Sequence, residues 1–152
     1  MPPTKLLVKR LSRSVPLPRY AHADDAGMDL HAAEPVVLPV GERKLIRRGI
    51  AIQLPPYTEA QIRPRSGLAL DYGVTVLNSP GTIDAGYRGE VRVLLINLGP
   101  QEFRVNPGQK IAQLVVTPIA VVEVQEVEKL APSSRGSGGF GSTDRDHKAP
   151  IK

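Results

Sequence analysis

Cysteine and tryptophan are missing from this chain of 152 residues, and there are only three histidines, two phenylalanines and four tyrosines. The lack of cysteine rules out disulfides and thiolate zinc sites. His22, His31 and His147 are too scattered for a histidine-based transition-metal centre. Any metal is therefore expected to be a hard cation on oxygen ligands. So few aromatics speak against a single-strand nucleic-acid module, which stacks bases on exposed rings. The N-terminus "MPPTKLLVKRLSRSVPLP" is basic, but no apolar run is long enough for a signal peptide or a membrane span. A soluble, cytoplasmic protein with one modest core is the expectation.

Proline and glycine are plentiful. Fifteen prolines and fourteen glycines punctuate short Val/Ile/Leu-rich runs, which predicts many short strands rather than long helices. "KLLVKRL", "EPVVLPV", "KLIRRGIAIQLP", "EAQIRP", "VTVLN", "EVRVLLINL", "EFRVNPG" and "KIAQLVVTPIAVVEVQEVE" all read this way, giving an all-β sandwich or closed barrel. One short helix is predicted in "SGLALDYG", with Ser66 as N-cap and Gly73 as the C-terminal stop. From Ala131 the composition turns to Gly, Ser and charge, so residues 1–130 are expected to form the β domain and 131–152 a flexible arm. A formal charge of +5 suggests an anionic partner, either nucleic acid or small phosphates. The basic clusters Lys5, Lys9, Arg10, Arg13, Arg19 and Arg43, Lys44, Arg47, Arg48 are read as solvated strand faces.

Five stretches carry candidate chemistry. "DDAGMDL" offers Asp24, Asp25 and Asp29, carboxylates of the kind that accompany Mg²⁺ beside phosphate. "PRSGLA" (64–69) supplies a guanidinium in Arg65, a hydroxyl in Ser66 and open backbone in Gly67 at a helix start, a combination suited to anions. "DAGY" (84–87) reads as a tight turn in which Gly86 takes positive φ and Asp84 and Tyr87 come close. A carboxylate there can take a proton from an attacking water. An exposed turn aspartate is the plainer alternative. "GQKIAQL" (108–114) places Gln113 in an apolar strand entry, where it is either satisfied by backbone or turned to a ligand oxygen. "RGSGGFGST" (135–143) is either a linker or a lid, with Phe140 for a flat base and Arg135, Ser142 and Thr143 for phosphate.

In this order and at this spacing, the five stretches "AGMDL", "PRSGLA", "NSPGTIDAGYRGE", "GQKIAQL" and "RGSGGFGST" resemble the five motifs of the trimeric dUTP nucleotidohydrolases, the dUTPases. The resemblance runs from about Leu6 to Thr143. It implies a jelly-roll-like β-sandwich or distorted barrel with one short helix. Three such chains would form a homotrimer with a mobile, exchanged C-terminal arm and active sites at subunit interfaces.

The implied reaction is dUTP plus water giving dUMP and pyrophosphate, with Mg²⁺ on the triphosphate, which keeps dUTP low and supplies dUMP for thymidylate synthesis. Carried over by residue, Asp84 activates the water that attacks the α-phosphorus, and Tyr87 packs on the deoxyribose and excludes a 2′-hydroxyl. Asn78 and the main chain of Gly81, Thr82, Ile83 and Asp84 read uracil, with backbone near Arg92 as a further contact. Arg65, Ser66, Gly67 and Gln113 hold phosphates. In the arm, Arg135, Gly138, Gly141, Ser142 and Thr143 grip the terminal phosphate while Phe140 covers the base. Asp29 supports the Mg²⁺ shell through water. The resemblance calls for no nucleic acid and no membrane. A dCTP deaminase of the same fold is the alternative, and ammonia release from dCTP separates the two.

Overall fold

A computed structural model describes residues 4–143. Its contacts divide into two compact units, Met1–Val121 and Val122–Lys152. The last part of the expected arm, 144–152, lies outside the described residues.

The first unit is built of short strands in two open four-stranded sheets and one two-stranded ribbon, with antiparallel pairing throughout. In chain order the strands are β1 (Leu7–Arg10), β2 (Met28–His31), β3 (Val36–Leu38), β4 (Arg43–Gln53) and β5 (Thr58–Arg63). After helix α1 (Ser66–Tyr72) come β6 (Val74–Val76), β7 (Gly81–Ile83), β8 (Glu90–Asn97), β9 (Phe103–Val105) and β10 (Lys110–Pro118). One sheet runs β1-β4-β8-β6 and the other β2-β10-β5-β7, while β3 pairs with β9. All-β with one short helix was the expectation. The sheets are open, with β1, β6, β2 and β7 as edges, so a closed barrel is not what forms within one chain.

Strand alternation explains the core. Along β8, Val91, Val93, Leu95 and Asn97 point inward between more exposed Arg92, Leu94 and Ile96, the period of two that a half-buried strand requires. Leu30, Ala60 and Leu114 from the second sheet join Ile46, Ile50, Val93 and Leu95 from the first in one buried cluster. Each large aliphatic side chain so buried contributes about 1.5–3 kcal/mol. Asn97 is the polar member, fully buried and fully used. Its Nδ2 donates to Leu38 O (3.0 Å) and Gln101 O (2.7 Å), and its Oδ1 accepts from Gly99 N (2.9 Å). Asn97→Ala is therefore expected to cost about 2–4 kcal/mol of stability by stranding those buried backbone groups, measured by urea unfolding.

Several sequence expectations are corrected. The helix is seven residues long and begins at Ser66; Arg65 occupies the cap position, with no side-chain cap hydrogen bond, so Ser66 is not the N-cap. Gly73 does end it, in the left-handed conformation at φ 67°. "MDLH" and "GTI" form strands β2 and β7 that the composition did not predict. The long run "KIAQLVVTPIAVVEVQEVE" does not remain one strand. β10 ends at Pro118, and Val121, Val122, Val124 and Leu130 beyond it are exposed and unpaired in the described residues. A proline cannot donate to a ladder, which makes it a natural end point.

Arg48 is not on a solvated face. The β4–β8 register slips between Arg47 and Ala51, Gly49 adopts φ 71°, and Arg48 turns wholly inward. Its Nη2 donates to Pro16 O (2.6 Å), while Nε and Nη1 have no partner among the described residues. Burial, with the nearby Arg10 charge, pushes its pKa down to about 10. Glu90 fastens the irregular backbone from outside, accepting from Gly49 N (3.0 Å) and Arg47 Nε (3.1 Å).

Candidate functional site

The second sheet gathers the motifs. Its four strands, in spatial order, carry the first stretch on β2, the fourth on β10, the second at the end of β5 and the third on β7. The register brings them side by side. Gln113 faces Asp29 on one flank and Arg63 on the other, and the neighbouring Ile62 faces Gly81. Residues as far apart in the chain as Asp29 and Gln113 thus meet because antiparallel pairing aligns their strands.

A cavity of about 530 Å³ opens where β7 and the following turn meet β8. Asn78, Gly81, Thr82, Ile83, Asp84, Tyr87 and Arg92 line it, all seven among the residues expected to take the nucleoside. The turn is closed by Tyr87 N donating to Asp84 O (3.0 Å), so Asp84 and Tyr87 are indeed held together. Gly86 is not in the positive-φ region, contrary to expectation; Arg88 Nη1 instead braces the turn by donating to Ala85 O (2.7 Å) and Tyr87 O (2.9 Å). Among the described residues nothing donates to the Asp84 carboxylate, which leaves its lone pairs available to a water.

Tyr87 is fixed from two sides. Its hydroxyl donates to Glu90 O (3.0 Å), and its ring lies so close over Gly89 that a β-carbon at 89 would overlap it. Gly89 was missed as a site residue, although it stands in the quoted "YRGE"; its role is visible only once the ring is seen above it. Leu45, from β4, also lines the cavity and was missed, since nothing in "RKLIRR" marks it.

A second cavity, of about 320 Å³, is bounded by Arg65, Ser66, Gly67 and Gln113, the group expected to serve phosphates, by Asp29, expected beside the metal, and by Asp25 and Gly27. Gln113 Nε2 donates to Pro64 O (2.9 Å), the backbone-satisfied alternative, and a side chain at Gly27 would overlap Gln113. Asp29 accepts from Arg65 Nη1 at one oxygen and from Lys110 Nζ (2.6 Å) at the other. Burial alone would raise its pKa, yet the Lys110 hydrogen bond and the two positive charges hold it below the ordinary carboxylate value. Asp24 stands exposed outside this cavity, and Asp25 accepts from His22 N (2.8 Å). The two cavities share no lining residue.

The second unit holds the fifth stretch as a chain of turns. Arg135 Nε donates to Gly138 O (2.9 Å), Gly138 N to Arg135 O (3.2 Å) and Ser142 N to Gly139 O (3.0 Å). Gly136 and Gly141 have positive φ, and so has Phe140 at 49°, whose ring is fully exposed. Thr143 ends the described residues.

The dUTPase family model matches residues 13–144. The chain belongs to the dUTPase family. Curated deoxyuridine 5'-triphosphate nucleotidohydrolases of Gloeothece citriformis and Clostridium kluyveri are 58% and 59% identical to it, each match covering 91% of this chain and 96% or 97% of the relative. Among solved structures, a Staphylococcus bacteriophage 80alpha dUTPase variant with dUpNHpp superposes at a TM-score of 0.86, with 29% identity, over 91% of this chain and 98% of that one. A phage phi11 dUTPase, described as revealing the coordination of a structural Mg(II) ion, has a TM-score of 0.78 and 27% identity over 84% of this chain and 99% of its own. For this dUTPase-family chain, no helix among the described residues is long and apolar enough to cross a membrane.

Metal binding in the chain itself has only a modest basis. Among the described residues no cluster of three acids or histidines could cage an ion. The donors near the second cavity, Asp25, Asp29 and Gln113, offer oxygen, which suits a hard cation, but both Asp29 oxygens already face cations. This set fits an ion held chiefly by a substrate's own phosphates.

Proposed function

We propose that the chain hydrolyses dUTP to dUMP and pyrophosphate, with Asp84 as the general base. The supporting observation is a pair of cavities with separate linings: one at the turn after β7, holding an unengaged carboxylate beside a tyrosine, and one at the start of α1, holding Arg65 and Ser66. Asp84 takes a proton from water as the water oxygen bonds to the α-phosphorus and the bond to the bridging oxygen breaks, so that pyrophosphate leaves. Asn78 and the main chain from Gly81 to Asp84 hydrogen-bond the uracil edge. Cytosine reverses that donor and acceptor pattern and would strand buried backbone groups. Arg65, Ser66, Gly67 and Gln113 spread the phosphate charge that otherwise repels a nucleophile. Mg²⁺ on the triphosphate would supply further charge neutralisation, and Asp29 is the carboxylate that would support it through water.

A homotrimer completes the site in this reading. The hairpin cavity of one copy and the Arg65 cavity of the next would face each other across the interface, and the 131–152 arm of a further copy would close over them. Two features support it: the exposed valines after Pro118 have no partner within the described residues, and Phe140 presents its ring to solvent. Sedimentation should give three chains per particle. The deaminase alternative is not favoured, since the family model and the relatives are all dUTPases.

Pyrophosphate release measured across the deoxynucleoside triphosphates with Mg²⁺ tests the reading; turnover confined to dUTP supports it, and ammonia release from dCTP sinks it. Sugar selection has its own test. Gly89→Ala forces the Tyr87 ring off its seat and should, like Tyr87→Ala, improve kcat/KM for UTP relative to dUTP by about ten- to a hundred-fold. Unchanged discrimination in both variants removes Tyr87 from that role.

A further inference from the structure

Lys110 lies outside both cavities and has no part in the scheme above, yet its Nζ lies 2.6 Å from the second oxygen of the acid on which Arg65 rests. Its placement depends on one irregularity. The β2–β10 register runs Leu114 to Met28, Gln113 to Asp29 and Ala112 to Leu30, then slips, so that Lys110 rather than Ile111 stands opposite His31. His31 and Asp29 are two residues apart on β2 and share a face. Without the extra residue the apolar Ile111 would occupy that position, whereas the bulge buries Ile111 and turns Lys110 toward the Asp29 side. A diagonal cross-strand neighbour is within reach of a long side chain.

The charge balance gives this contact a consequence. Asp29 is mostly buried, with 16% of its side chain exposed, so its ion pairs are only partly screened. Asp29 with Arg65 alone is a neutral pair, and a neutralised guanidinium is a poor anion receptor. Lys110 adds a second cation to the same carboxylate, so that the Asp25 and Asp29 carboxylates lining the cavity are matched by two cations rather than by Arg65 alone. It also competes for the carboxylate, so that the outer N–H groups of Arg65 remain open to phosphate oxygens.

From this geometry we infer that Lys110 is a positioning residue for the triphosphate: by sharing Asp29 with Arg65 it keeps Arg65 available to the phosphates. The inference rests on the dUTP reading, and pyrophosphate release by the unaltered protein tests that reading separately.

The test is a binding cycle read by calorimetry with Mg²⁺, using the non-hydrolysable α,β-imido analogue of dUTP and, as a phosphate-free control, deoxyuridine. Lys110→Met should weaken the analogue by about ten-fold, a loss of one charge-assisted contact, while leaving deoxyuridine affinity unchanged. Lys110→Arg should restore analogue binding to within about two-fold, since a second guanidinium can also take the carboxylate. In an Asp29→Asn background the Lys110→Met effect should shrink below about two-fold, because the group through which lysine acts is gone. Equal losses in both backgrounds would mean that Lys110 touches phosphate directly, and equal losses for the analogue and deoxyuridine would mean general damage. Either result, or no loss at all, overturns the inference while leaving dUTP hydrolysis standing.

Discussion

Asp84→Asn is expected to leave dUTP bound near its original affinity and to lower kcat by about 10²–10⁴-fold, the range a positioned general base contributes. The amide is the same size as the carboxylate and keeps the turn, whose closing hydrogen bond runs through the Asp84 main chain rather than its side chain. On the proposed reading, what it loses is the basic carboxylate oxygen that would accept the proton of the attacking water. Because no donor among the described residues engages this carboxylate, the substitution strands no buried partner and should not disturb folding. Single-turnover measurements with saturating dUTP separate the chemical step from binding. Turnover within a few-fold of the unaltered chain would remove Asp84 as the base and return it to the role of an ordinary turn residue.

The second large effect concerns the arm. A chain ending at residue 130 is expected to fold, since the buried cluster draws only on residues up to 116. It should retain little activity, down by about 10²-fold or more, because a lid both excludes water and aligns the reacting groups. The exposed Phe140 suggests a narrower variant: Phe140→Ala forfeits the stacking contact, worth about 1–3 kcal/mol for a base on an aromatic ring. Steady-state pyrophosphate release and circular dichroism on the same preparation distinguish a lost lid from a lost fold. A truncated chain that turns over dUTP at the full rate would show that the arm has no catalytic part.

Much of the fold was legible because its signals are local. β8 alternates cleanly, Gly73 stops α1 as its lack of a β-carbon permits, and the proline- and glycine-bounded runs mark most strands. The misreadings share a cause, which is context from elsewhere in the chain. β7 is three residues long and exists because β5 pairs with it, and β2 is built against β10; neither has enough sequence to announce itself. Arg48 looked like one more member of a basic run, and only a slipped register turns it inward. For the site, the motif residues were recognisable from type and order; residues of the first four stretches line two cavities, while those of the fifth belong to the second unit. Gly89 and Lys110 were not singled out, because their parts depend on what lies above a glycine or across a bulge.

The disjoint linings of the two cavities make the molecule modular. On the proposed reading, a change on β7 would retune which base is accepted while the residues lining the Arg65 cavity stay the same, and a change around Arg65 would alter leaving-group handling with the base cavity unchanged. Substitutions in the two halves should then combine additively in free energy, as independent sites do. Such a scaffold can drift in one property while selection holds the other fixed.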